Sequence, residues 1–249
     1  MWIEIKIIKK GSNYFMEKYE TYFNEICTED VEDVLMICTT ASKRLWDLFK
    51  IKVDDPKMIA VIFSKTYETV LKELANLEKE YDNYQITFCD RFVIGYTTNE
   101  NESDEKEGNF MIKIDHLNVI PTIDDYDPQL SNRERCVQWN TDNIKKQPEE
   151  LKKIASMTTE ALRKLDINAL ADEIIIPIFV TVYETIIEVM KIRRKEEDKF
   201  EFEINFCSCF YITVIEQEDQ DNDIINIRSN IHGKLMLKND AIASGKYDD

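Results

Sequence analysis

Glycine and proline are scarce, with five of each in 249 residues. Long flexible linkers draw on both, so few are expected. The glycine shortage also leaves little material for a phosphate-cradling loop. No GxGxxG or Walker pattern occurs, and GxSxG and HExxH are missing as well. No Ser/His/Asp or Cys/His arrangement stands out along the chain. Long apolar runs are lacking too, since none approaches the roughly 20 residues that span a bilayer. The start, MWIEIKIIKKGSNYF, alternates apolar and charged residues, and no small-residue cleavage site follows it. It is not read as a signal peptide. The expected setting is inside a cell or within an assembled particle, with no membrane.

Six cysteines in a chain of 249 residues do not make a disulfide scaffold. Positive charge is short as well. Lys and Arg number 32 against 49 Asp and Glu, a formal net charge of -17. A phosphate-binding surface clusters Lys and Arg, so direct nucleic-acid binding is not expected. The same field favours solubility and leaves an acidic surface for a basic partner.

What the chain does have is 43% hydrophobic content, enough for one large or two small cores. It also has a repeat. FSKTYETVLKEL (Phe63–Leu74) and FVTVYETIIEVM (Phe179–Met190) share Phe and Tyr-Glu-Thr at an offset of 116. Ile59, Ile62, Phe63, Val70, Leu71 and Leu74 match Ile175, Ile178, Phe179, Ile186, Ile187 and Met190, which is helical spacing. Asp55-Pro56 supplies an N-cap with proline at the first helical position. Pro177 sits further in, and is expected within the first turn or at a kink. Upstream, Val34, Ile37, Ala41, Leu45 and Leu48 match Leu151, Ile154, Thr158, Leu162 and Leu165 at an offset of 117.

Downstream of each second helix comes an alternating run. Tyr84, Ile86, Phe88, Phe92, Ile94 and Tyr96 match Phe202, Ile204, Phe206, Phe210, Ile212 and Val214 at an offset of 118. A period of two over 13 residues predicts one long strand, with a bulge or bend at Asp90 and Ser208. Acidic segments follow at 97–109 and 216–223, and then strand-like runs at Phe110–Ile114 and Ile224–Ile227. Each pair reads as a hairpin with a long charged loop.

The expected fold class is α+β, an internal duplication of an αα-ββ unit. In each unit two helices cover an antiparallel hairpin, and the copies pair about a pseudo-twofold axis. The parts are residues 1–27 (a strand at the edge and a short helix), 28–120 (copy one), 121–147 (a polar linker anchored by Trp139), 148–240 (copy two) and 241–249 (an acidic tail).

Candidate chemistry is thin. FCDRF (Phe88–Phe92) and FCSCF (Phe206–Phe210) suggest a reactive motif used twice. However, Cys207 and Cys209 have no second close pair, as a zinc site requires, and Cys89 stands alone. On a strand these cysteines would face away from the alternating core side. They read as half-buried packing residues. His116 and His232 are 116 residues apart, but no carboxylate spacing repeats with them. Asp219, Asp221 and Asp223 open like a calcium loop, yet Ile224 stands where Gly is needed and Asn230 where a bidentate Glu is needed. Asp124, Asp125 and Asp127 fit turn and helix capping. No catalytic residue, cofactor or metal ligand is assigned.

Three functional readings follow. The first is a non-enzymatic structural or adaptor subunit in a homo- or hetero-oligomeric assembly. A bacteriophage virion component, in the neck, in the tail or packaged, fits it. The second is an acidic inhibitor or nucleic-acid mimic that occupies a basic site on a partner protein. The third, ranked last, is an enzyme with a cleft between the copies near His116 and His232.

Overall fold

The computed structural model describes residues 3–5, 18–77, 83–89, 92–98, 108–114, 122–144, 147–167, 171–197, 200–215 and 224–229. The chain is mixed helix and sheet, mostly helical, and falls in the α+β class. It opens with β1 (Ile3–Ile5), α1 (Lys18–Ile26) and α2 (Val31–Phe49). Val34, Ile37, Ala41 and Leu45 of α2 are buried and Leu48 is half-buried. The matching positions on α5 (Pro148–Arg163) behave alike: Leu151, Ile154, Thr158 and Leu162 are buried, and Leu165, just past its end, is half-buried. The helical period thus placed both buried stripes.

α3 (Pro56–Leu77) begins as its sequence dictates. Asp55 Oδ1 accepts the Lys57 N–H at 2.9 Å, and Pro56 holds the first helical position, where no N–H is needed. In α6 (Asp172–Glu196) Pro177 is the sixth residue and lies past the first turn, so the first of its two expected placements does not hold. A proline there leaves the carbonyl four residues back without its N–H. That carbonyl belongs to Glu173, and Asn140 Nδ2 donates to it at 2.6 Å. The donor comes from α4 (Asn132–Asn143), so a neighbouring helix makes good the lost bond.

The polar segment 121–147 is ordered where described. A 3-10 turn at Ile123–Asp125 and α4 each start with a capping box, Thr122 with Asp125 and Ser131 with Glu134. Trp139 is buried edge-on against Phe49, ring centroids 5.0 Å apart.

The strands bring the main corrections. The first alternating run is two strands, β3 (Asn83–Phe88) and β4 (Phe92–Thr98), and β5 (Gly108–Ile114) completes an antiparallel sheet in the order β3-β4-β5. The second run is β6 (Glu201–Phe206) and β7 (Phe210–Ile215), with β8 (Ile224–Ser229) completing β6-β7-β8. Phe88 pairs with Phe92, and Phe206 with Phe210. The expectation of one long strand fails for a geometric reason. Directly opposed residues of an antiparallel pair share a face. A turn that separates them by an even number of positions therefore carries the alternation straight through. β5 and β8 adjoin, so the sheets meet edge beside edge without ladder bonds between them.

Ile3–Ile5 does not extend either of these sheets. It pairs in parallel with β2 (Ile51–Val53), a three-residue strand that the sequence pattern did not reveal. The glycine shortage has its counterpart in the backbone. Among the described residues seven that are not glycine, Asp30, Lys50, Cys89, Gln147, Asp166, Cys207 and Ser208, take φ between 50° and 63°. Each left-handed side chain carries a steric cost of about 1 kcal/mol or more. At these seven positions no glycine marks the turn in the sequence.

Each of the outer helices packs on both central ones: α2 lies against α6 and α3, α5 lies against α3 and α6, and α3 lies against α6. There Phe63 stacks on Phe179 at 4.8 Å. Phe179 also meets Phe88 at 5.1 Å and Phe92 at 5.8 Å, and Phe92 stacks on Tyr183 at 4.0 Å. One continuous core runs from α1 to β7.

Candidate functional site

The two Phe-Cys-x-x-Phe segments are hairpin turns. Cys89 takes φ 53°, and Cys207 and Ser208 take φ 51°. Their phenylalanines close the ends of paired strands, and Phe88 stacks on Phe92 at 5.0 Å. The cysteines do not face away from the core as the strand reading implied. Cys207 and Cys209 are each 1% exposed within it, while Cys89 is half-buried. The turn buries both of its thiols, whereas on one strand both would have shared the face away from the core.

All six cysteines are free thiols. Burial pushes Cys38 and Cys207 up, and Cys136 and Cys209 up to about 12. These four are not thiolates at neutral pH and are poor nucleophiles. Cys27 moves the other way, because the Cys207 thiol donates to its sulfur and favours the anion.

Two polar clasps join segments far apart in the chain, and sequence reasoning missed both. Gln147, the N-cap of α5, reaches the outer edge of β3. Its Oε1 accepts the Thr87 N–H at 3.0 Å and its Nε2 donates to the Gln85 carbonyl at 2.6 Å. Asp30, the N-cap of α2, reaches β6. Its Oδ2 accepts the Asn205 N–H at 2.8 Å. Glu29 adds a bond from Asn205 Nδ2 at 2.9 Å. Asp30 and Gln147 stand 117 residues apart, and Thr87 and Asn205 stand 118 apart. Each helix start therefore holds the hairpin that follows the other helix pair. Neither cap uses its side chain on its own helix. The only sequence signal was Gln-Pro at a helix start.

Asp124, Asp125 and Asp127 act as turn and ion-pair residues. Asp125 Oδ2 accepts the Thr122 N–H at 2.8 Å, and Asp127 Oδ1 accepts the Gln129 N–H at 2.9 Å. Asp124 pairs with Lys50 at 2.7 Å and Arg135 at 3.5 Å. His116 and His232 lie outside the described residues, as do Asp219, Asp221 and Asp223 and most of both acidic loops. Among the described residues, no group of three or more His, Cys, Asp or Glu is placed to hold a metal ion. Likewise no described helix is long and apolar enough to cross a membrane.

A concave surface opens on the helical side. Between α4, α5 and α6 lies a cleft of about 720 Å³. Leu151, Ala155 and Ile176 are its buried apolar part, and Asn140 and Glu173 bring polar groups to it. Val137 and Ile144, seven positions apart in a stretch whose other apolar residue is Trp139, were the faint sequence sign of it.

No protein-family model, no curated protein and no solved structure matches the chain.

Proposed function

We propose that the chain is a non-enzymatic structural or adaptor subunit of a larger macromolecular assembly. In this reading it is built from two copies of one helix-helix-sheet unit about a pseudo-twofold axis. The reciprocal clasps carry the reading, because Asp30 and Gln147 reach corresponding points on opposite hairpins. The matching places of α2 and α5, each packed on both α3 and α6, and the edge-beside-edge sheets support it further. An enzyme built from two such halves would need room where they meet. Here Phe63, Phe88, Phe92 and Phe179 fill that place. A body locked at both ends and solid at its centre suits load-bearing or bridging work. A bacteriophage virion component is the narrower form of the same reading.

Purification of the full chain under native conditions from its own source tests this. Native mass spectrometry is expected to find a stoichiometric complex with protein partners or with further copies. A monodisperse monomer would count against the reading. The acidic-inhibitor alternative predicts instead a one-to-one complex with a basic protein that dissociates steeply as salt rises. Described carboxylates are interleaved with cations, as in Glu173 with Arg133 at 3.0 Å and Lys153 with Glu73 at 2.7 Å, so the first reading is preferred.

A further inference from the structure

The Asp30 clasp brings two cysteines together. Cys27 lies three residues before Asp30, and Cys207 lies two residues after Asn205. Asp30 takes the Asn205 N–H at 2.8 Å and Glu29 takes its side chain at 2.9 Å, so the segment after α1 is held against the end of β6. There the Cys207 thiol donates to the Cys27 sulfur. A sulfur in hydrogen-bonding contact with another lies on the path to the roughly 2.05 Å of a disulfide. The two thiols differ in access. Cys207 is 1% exposed and sits inside the core. Cys27 lies at the rim of the core, 4% exposed, and Thr28, Glu29 and Asp30 after it are all exposed. Cys27 also has the larger thiolate fraction, because the hydrogen bond it accepts favours the anion. An outer thiolate in contact with an inner thiol is the arrangement of an oxidisable cysteine and its resolving partner.

We propose that Cys27 is a site of oxidation by hydrogen peroxide, with Cys207 as its resolving thiol. The Cys27 thiolate attacks one oxygen of the peroxide. An S–O bond forms, the O–O bond breaks, and hydroxide leaves and takes up the proton that Cys27 released. The product is a sulfenic acid. Cys207 then gives up its proton and attacks the Cys27 sulfur. The S–S bond forms, the S–O bond breaks, and the hydroxyl leaves with that proton as water. The two thiols lose two electrons in all, and one peroxide becomes two waters. The disulfide ties the segment after α1 to the second hairpin beside the Asp30 clasp and reinforces that clasp covalently. The inference goes beyond the structural role and does not depend on it.

Treatment of the folded full chain with hydrogen peroxide, followed by digestion without reduction and mass spectrometry, tests it. A peptide linking Cys27 to Cys207 is expected, lighter by two hydrogens than its two parts, and dithiothreitol is expected to remove it. The oxidised chain is expected to melt at a higher temperature than the reduced one, because a crosslink between residues so far apart restricts the unfolded chain. Cys207→Ser is expected to abolish the link and to leave a sulfenic acid on Cys27 that dimedone traps. Cys89→Ser, on the other hairpin, is expected to form the link as the wild type does. If Cys207→Ser does not fold, the wild-type peptide map and its reversal by dithiothreitol still decide. Absence of the Cys27–Cys207 peptide after peroxide treatment overturns the proposal, as does a link that forms only in urea. A link from Cys207 to Cys209, or between chains, in its place would overturn it too. A Cys27 sulfenic acid that persists in the wild type would remove the resolving role of Cys207.

Discussion

The N-cap of α2 holds its hairpin with a carboxylate, whereas the N-cap of α5 holds its hairpin with an amide. The two solutions differ in how much help they need. An amide both accepts and donates, so Gln147 alone serves an N–H and a carbonyl of β3. A carboxylate only accepts, so Asp30 takes one N–H of β6 and leaves the rest to neighbours. Glu29 takes the Asn205 side chain, which also donates to the Tyr211 hydroxyl at 3.3 Å. The Glu29 charge raises the Tyr211 pKa in consequence. The turns beyond the clasps diverge in the same sense. Cys89 is half-buried, while Cys207 and Cys209 are sunk in the core. Both clasps start from a helix N-cap and end on a strand, but their chemistry differs.

The comparison holds only if the halves form one body, and Phe179 tests that first. Its ring touches Phe63 on α3 and Phe88 and Phe92 on the first hairpin. Phe179→Ala is expected to cost about 3–5 kcal/mol and to keep a single urea transition. Two separate transitions by fluorescence and circular dichroism would show the halves to be independent.

Breaking either clasp comes next. Gln147→Ala and Asp30→Ala are each expected to cost about 1–2 kcal/mol. Amide exchange followed by NMR gives the sharper reading. Gln147→Ala should speed exchange at Thr87 and spare Asn205, and Asp30→Ala should do the reverse. Equal effects at both amides would mean that the clasps are not local.

The outer helices offer a smaller contrast. Lys153 on α5 pairs with Glu73 on α3, which is 3% exposed, and the bond measures 2.7 Å. Arg44 on α2 pairs with Glu188 on α6 at a largely exposed site. Lys153→Ala leaves a buried carboxylate unpaired and is expected to cost about 1–2 kcal/mol, less than a fully buried pair because Lys153 itself reaches water. Arg44→Ala is expected to cost under about 1 kcal/mol. Thermal denaturation would rank the two, and the reverse order would remove the contrast.

The least perturbing test uses the thiols. At pH 8, iodoacetamide is expected to modify Cys27 before Cys136 or Cys209. The lowered Cys27 pKa raises its thiolate fraction, while burial holds the other two near 12. Peptide mapping reads the order, and Cys209 reacting first would show that the second turn opens more readily than its burial implies.

The helices were legible because buried stripes at a period of 3.6 survive without any neighbour. Val34, Ile37, Ala41 and Leu45 declared one face of α2, and their matches declared α5. The hairpin turns were illegible because Cys89, Cys207 and Ser208 take left-handed backbone without glycine, and because an even turn preserves alternation. The short β2 showed nothing, since three residues hold too little pattern. In the candidate site, the sequence flagged residues by type, and none of the flagged carboxylates formed the clasps.

By itself the sequence determined the α+β class, the buried faces of the long helices, the capped start of α3 and the acidic charge. These depend on local spacing and composition, which neighbours cannot alter. Only the tertiary structure decided which helix packs on which, and that Gln147 and Asp30 reach across to opposite hairpins. It also decided that Asn140 donates to the carbonyl that Pro177 leaves without its N–H. Each of these joins residues tens of positions apart or more, and a hydrogen bond over that separation leaves no period in the chain.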